Sequence, residues 1–437
     1  MKLNAIIASA LLGLLFITEA NAQQRGDMAN SGSFYSSLGF GVPADIRSPY
    51  SSGMGLTGVG NYTNMSANIS NPAQWALASF SYGSISMGMT NYYARDNSAS
   101  VRGSLLSVDH FQILFPLLRD RLGVSLSFTP LTRSNYQVLT EGEFFPLSEF
   151  SSNQVEFGIE TLGSGGINRF EVGAGYRLAS FLTVGYGFSA NLLSKQEEVS
   201  SLFSDNSFRG VNTSRSIEGN SIGHRFGIFA YRNSLFGNND QISFGATVSL
   251  PIEITSERSI SAFRTVNGSR QLIELNENSP DRMGNVRLPL EFNTGLTYNL
   301  SRFVNVSSEL MFQEWSDASY SYSSTQQAYF KDRTKVGLGF QYHPYRVEQA
   351  SGFFTNMRYS VGTSYDNGHL SIQGQDIETM TFNAGVGIIS RGTSTLDLNF
   401  HYGIRGTQSS NLVKENIWGF SLSLNLAEFM FVRQRFQ

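Results

Sequence analysis

The sequence predicts an all-β protein: a fourteen-stranded antiparallel transmembrane β-barrel preceded by a strand-free N-terminal segment. Three observations point there. Apolar and polar residues alternate with period two over stretches of about 9 to 11 residues or more, the length a tilted strand needs to cross a bilayer. The links between these stretches alternate between short and long, as periplasmic turns and external loops do in bacterial outer-membrane barrels. The first residues read as an export signal.

In chain order, Lys2 supplies a positive n-region, Ala5 to Thr18 an apolar run and Ala20-Asn21-Ala22 a small-residue cleavage site, so 1–22 is a signal peptide and the mature chain starts at Gln23. Residues 23–77 carry no strand pattern. Strand segments then fall near 78–90, 99–115, 121–137, 154–178, 180–197, 215–232, 240–254, 286–300, 303–316, 330–343, 353–367, 373–390, 394–407 and 413–427, giving a barrel over 78–427. The last two are the clearest. Leu396, Leu398, Phe400, Tyr402 and Ile404 oppose Asp397, Asn399, His401, Gly403 and Arg405, and Trp418, Phe420, Leu422, Leu424 and Leu426 oppose Gly419, Ser421, Ser423 and Asn425. Side chains alternate across a strand, so each polar set shares one face. The fourth segment is interrupted by Gly163, Gly165 and Gly166, where a strand bends at least cost. Short links at 118–120, 178–180, 299–301 and 391–393 and long ones near 138–153, 198–214, 255–285 and 317–329 orient the barrel. With an even strand count both ends lie on the periplasmic side, leaving 428–437 as a periplasmic tail.

Composition agrees. Hydrophobic residues make up 41% of the 437 and charged residues 15%, while aromatics reach 13% and glycine 43 positions. That mixture suits a barrel, where only every second strand residue faces lipid. A formal net charge of -3 gives no sign of a nucleic-acid partner. Cysteine is absent, so disulfides, thiol nucleophiles and Cys-ligated metals are excluded.

The stretches "SSGMGLTGVGNYTNMSANISNPA" at 51–73 and "GSGGINRFEVGAGYRL" at 163–178, together with the strand count, resemble the FadL/TodX family of outer-membrane transporters for hydrophobic compounds. The ending "AEFMFVRQRFQ" is similar to basic-aromatic tails of barrels from the Bacteroidetes group. The resemblance implies that residues 23–77 form a hatch in the lumen, with Asn71, Pro72 and Ala73 matching the family's Asn-Pro-Ala motif and Trp75 as an apolar anchor. Gln74 stands where the family has glycine. It also implies an inward-bent early strand that opens the wall sideways, a role assigned here to Gly163, Gly165 and Gly166.

Other chemistry is weak. His110 and His401 project to the polar side of their strands, while His224, His343 and His369 fall near strand ends or turns, and none has metal-motif spacing. An outer-membrane lipid hydrolase with His401 as base and Ser394 as nucleophile would need an orienting partner that the sequence does not name. The sequons at Asn61, Asn68, Asn212, Asn267 and Asn305 receive no role, and the glycine run 163–166 lacks the context of a phosphate loop. Glu291, Glu309, Lys335, Arg358, Asp397 and Arg405 are expected in a polar lumen. No catalytic, metal or cofactor site is assigned.

Two functions follow as expectations. The first is passive uptake of hydrophobic small molecules, long-chain fatty acids or similar, gated by the hatch, with outer-membrane lipids and the ligand as partners. The second is a FadL-like accessory subunit or receptor, partnered by protein, in an outer-membrane secretion or assembly complex.

Overall fold

The computed structural model describes residues 31–144, 155–204, 210–237, 239–266, 269–273, 282–322, 329–344, 354–389 and 394–428. The expected signal peptide, 1–22, and the expected tail beyond Glu428 lie outside the described residues. Fourteen strands close into an antiparallel barrel: β1 (Ser81–Arg95), β2 (Ser100–Leu118), β3 (Leu122–Arg133 and Tyr136–Phe144), β4 (Val155–Ala179), β5 (Leu182–Phe203), β6 (Val211–Asn233), β7 (Gln241–Ser249 and Ile252–Val266), β8 (Met283–Leu288 and Glu291–Asn299), β9 (Val304–Gln313), β10 (Arg333–Tyr342), β11 (Met357–Asp366), β12 (Thr379–Ile389), β13 (Thr395–Arg405) and β14 (Lys414–Glu428). Each strand overlaps one of the segments expected from the alternation, but β3, β5 and β7 run on to Phe144, Phe203 and Val266, past the expected ends at 137, 197 and 254 and into stretches expected as long loops, because polar strands pair above the bilayer as well as within it. Closure is made by β1 against β14, from Ser81↔Glu428 to Arg95↔Lys414.

The splits in β7 and β8 sit at Pro251 and Pro289. Proline cannot donate to a ladder, so regular pairing is interrupted there. Facing follows the period of two. Leu398, Phe400, Tyr402, Ile404, Trp418, Phe420 and Leu422 are exposed on the outer wall, whereas Asp397, Asn399, Ser423 and Asn425 are buried inside. In a barrel in lipid the outer face is solvated by acyl chains, so this inversion of a soluble core is the stable arrangement.

The fourth strand is not interrupted. β4 pairs with β5 through Gly163↔Glu197 and Gly166↔Ser194, and Gly165 and Gly166 take φ of +108° and +144° within a continuous ladder. The break is in the preceding strand, at Ser134-Asn135 of β3, where Ser134 N–H donates to Gly165 O at 2.8 Å.

β2 and β3 pair only from Phe111↔Phe128 down to Leu118↔Leu122. Above that level the N-terminal segment takes over the free edge of β3: Val42 pairs with Arg133, Pro43 with Thr132, Ala44 N–H reaches Leu131 O at 2.8 Å and Gly32 N–H reaches Asn135 O at 3.1 Å. A bulge on β2, between the pairs Ser86↔His110 and Met87↔Val108, leaves Asp109 unpaired in the ladder. Its carboxylate meets Arg133 at 2.8 Å across the seam.

Candidate functional site

Residues 31–80 run through the lumen with little regular structure, and their polar backbone is satisfied by short turns within the segment and by the wall. Near the periplasmic end lies a short 3-10 helix, Pro72–Leu77. Asn71 caps it, its Oδ1 accepting from Ala73 N–H at 3.0 Å, and Pro72 occupies the first helical position, where a missing N–H costs nothing. The Asn71 amide also donates to Val59 O and to Ile228 O of β6, both at 3.0 Å. Trp75 is 0% exposed and donates its indole N–H to Asn68 O at 2.6 Å. Asn71, Pro72, Ala73 and Trp75 thus sit together as one fully buried knot. Gln74 joins it, donating from Nε2 to Val59 O at 2.9 Å while its Oε1 has no hydrogen-bond partner.

What lets this knot into the barrel is an arc of glycines on the inner wall. A Cβ on Gly185 would fall 2.2 Å from Pro72 C, on Gly175 2.5 Å from Pro72 O, on Gly227 2.4 Å from Asn71 Oδ1, on Gly123 2.0 Å from Trp75 O and on Gly245 1.9 Å from Val59 O. Gly339 and Gly362 continue the arc beneath Met54. Sequence reasoning missed this arc. Its only sequence signal is glycine recurring at inward positions, as in Gly173-Ala174-Gly175 and Gly185-Tyr186-Gly187.

Charged wall residues then tie segment to wall. Arg225 binds Glu171 and donates to Ser70 O at 2.9 Å and Ile69 O at 3.0 Å, with both charged side chains buried. The Glu309 carboxylate accepts from the backbone N–H groups of Thr57 at 2.6 Å, Gly58 at 2.7 Å and Val59 at 3.1 Å. Asp45 bridges Arg333, at 2.9 Å, and Lys335. Burial pushes the Asp45 carboxyl up, but Arg333, Lys335 and Arg47 outweigh it and hold it well below the usual carboxylate range. Arg358 pairs with Asp397 beneath the Tyr50 ring, 4.1 Å from its centroid. The six charges expected in the lumen are therefore inward, and Arg169, Glu171, Lys195, Arg225, Arg333 and Glu415 join them.

Higher in the lumen is an apolar cluster made by the chain itself. Phe40 stacks on Trp315 at 5.4 Å, Trp315 meets Phe330 at 5.5 Å and His369 at 4.6 Å, and Ile167, Leu193, Ile254 and Tyr320 surround them. Two of the spaces beside it, among the described residues, are small or charged. One cavity of about 50 Å³ lies beneath Trp315, and another of about 210 Å³ is lined by Asp45, Arg47, Asp109, Arg133, His401 and Arg405 among others. Pockets for drug-sized apolar ligands run to roughly 300–1,000 Å³ with apolar walls.

His110 and His401 are inward, as expected, but His224 lies mid-strand on β6 and faces outward, its Nδ1 2.8 Å from the Tyr186 hydroxyl. Among the described residues no hydrogen bond reaches His401. Ser394 sits seven residues away at the strand foot, where its Oγ accepts from Ala427 N–H, so the two do not meet. No group of three His, Asp or Glu is gathered as metal ligands among the described residues. Gly163, Gly165 and Gly166 lie higher on β4, apart from the knot: Gly163 faces the Tyr136 ring, and Gly165 and Gly166 face the break in β3.

A family model described as BamG matches residues 4–437. The chain belongs to the BamG family. No curated protein matches this BamG-family sequence. Among solved structures, its fold is that of FadL/TodX-type barrels. The toluene transporter TbuX of Ralstonia pickettii shares 14% identity at a TM-score of 0.54, over 89% of this chain and 99% of that one. The toluene transporter TodX of P. putida shares 15% at 0.53, over 90% and 100%. A FadL homologue of Pseudomonas aeruginosa shares 11% at 0.54, over 88% and 98%. This BamG-family protein is therefore an outer-membrane β-barrel of FadL-like architecture.

Proposed function

We propose that this BamG-family barrel is a closed accessory subunit or receptor within an outer-membrane secretion or assembly complex. The observation that carries this reading is the self-filled lumen: the upper-barrel position suited to an apolar ligand is taken by Phe40, Trp315 and Phe330, and the segment below is held by the Asp45–Arg333 ion pair and by hydrogen bonds from the buried Arg225. The family match runs along nearly the whole chain, while the toluene transporters share the fold at 14–15% identity.

A second reading is favoured by the seam between β2 and β3. Hydrophobic small molecules, long-chain fatty acids or similar, would enter from the external loops and displace a hatch whose gate is Asn71, Pro72, Ala73 and Trp75. They would leave sideways beside Gly163, Gly165 and Gly166. The toluene transporters TbuX and TodX have the kind of activity this reading implies.

One experiment separates them. Full-length protein is purified in mild detergent from the membranes of its own bacterium, and both its partners and its bound lipids are identified. A stoichiometric protein partner with an empty lumen supports the accessory reading. Purification of the barrel alone, with an apolar ligand retained and released when that ligand is competed, overturns it in favour of uptake.

A further inference from the structure

The barrel is much taller on one side. β4, β5 and β6 run for 25, 22 and 23 residues, against 10 for β10 and β11. Counting about 2.5 Å of height per tilted residue, an apolar band about 25 Å tall starting at Leu178 ends near Asn168. The sequence marks the same boundary, because the outward positions next above are Ser164, Ser194, Gln196 and Ser216. What stands above them is an extracellular wall of β3 to β6.

Its outward face becomes apolar again. Leu139 is 55% exposed, Leu162 39% and Leu202 53%. The pairs Leu139↔Glu160, Gln137↔Leu162 and Gly158↔Leu202 put all three on one face. Gly158 floors a dimple between two of them: a Cβ there would lie 3.5 Å from the Leu139 side chain and 3.9 Å from that of Leu202. Around the dimple, Glu141, Glu156, Glu160 and Glu198 share this face. Among the described residues none of the four is paired with Lys or Arg, and Glu160 takes only the Gln137 amide, at 2.8 Å. Two cations of β5 and β6 at this height, Lys195 and Arg215, point to the other face with Glu197.

We propose that this outward face, centred on Leu139, Leu162 and Leu202, is a docking surface for a second protein that presents apolar side chains ringed by Lys and Arg. Leucines this exposed above the bilayer lose by facing water, and the carboxylate ring selects the charge of what covers them. The phosphate-bearing lipid of the outer leaflet is repelled by the same ring. The proposal rests on the accessory reading and names the surface that reading needs.

The test uses full-length protein in its own bacterium with the photo-crosslinker p-benzoylphenylalanine at position 139 or 202, and at Phe382 on the lipid face as control. Positions 139 and 202 are expected to give one discrete adduct to another protein, mapped to a net-basic segment, and Phe382 none. Combining Glu160→Lys with Glu198→Lys is expected to lower that adduct by about tenfold at low salt, while the barrel keeps its heat-modifiable gel mobility. Adducts only to lipid, only to a second copy of this chain, or to an acidic segment overturn the proposal. So does a complex that purifies intact with the double variant and shows no crosslink, and that outcome leaves the accessory reading standing. A barrel that purifies alone overturns the accessory reading and this surface with it.

Discussion

Gly185 shows how a missing side chain becomes structural, since Pro72 fills the volume its Cβ would occupy. Gly185→Val is expected to cost about 1–3 kcal/mol by overpacking, and to expose residues 31–77 to protease while the barrel stays folded on a heat-modifiability gel. Arg225 works in the opposite way, by supplying charge. Arg225→Met leaves Glu171 buried and two carbonyls without donors, and is expected to destabilise by about 3–5 kcal/mol in detergent melting. Adding Glu171→Met should return most of that loss, because no uncompensated charge remains. His369, in the loop after β11, is 6% exposed against Trp315, and its Nε2 has no hydrogen-bond partner. Burial, aided by Arg333 and opposed by Asp366, lowers its pKa to about 3. Its folded pKa lies below the unfolded value near 6.5, so protons bind the unfolded state first as pH falls. Stability is then full above about pH 6.5 and is lost progressively toward pH 3. Tryptophan fluorescence around the Phe40–Trp315 cluster should loosen across that window, and His369→Phe should flatten the response.

Among the elements, β3 decides most. It changes partners part-way: β2 below Phe128, the N-terminal segment at Thr132 and Arg133. Because the chain has no cysteine, a Val42→Cys, Arg133→Cys pair placed on that register can be oxidised cleanly. The locked protein is expected to keep any stoichiometric partner, since the accessory reading needs no movement of the segment. Uptake of a hydrophobic probe into cells, if present in the reduced form, should fall on oxidation and return with reductant.

At the scale of the whole molecule the segment fills the lumen, and the uptake reading makes it a stopper as well. Removing residues 23–77 while keeping the signal should leave a folded barrel with higher single-channel conductance in planar bilayers. An unchanged conductance would mean that the loops above also close the path. Strand number and facing were legible in the alternation, because both are set by residues adjacent in sequence; the upper ends of β3, β5 and β7 were not, since those strands stay paired above the apolar band. The luminal charges were readable for the same reason, down to Asp397 and Arg405.

His224 was expected near a strand end or turn although the expected segment 215–232 already put it mid-strand, as β6 does, and β4 was expected to be interrupted because a glycine run looks alike whether the chain bends or stays paired. What the sequence by itself determined is the barrel: period two, alternating loop lengths and an even count leave few other ways to satisfy every backbone group in lipid. Only the tertiary structure decided that glycines from many separate strands form one cradle, that Phe40 fills the upper lumen and that the N-terminal segment completes the edge of β3. Those contacts join residues up to hundreds of positions apart. No local pattern encodes such distances, and they exist only once the sheet has closed.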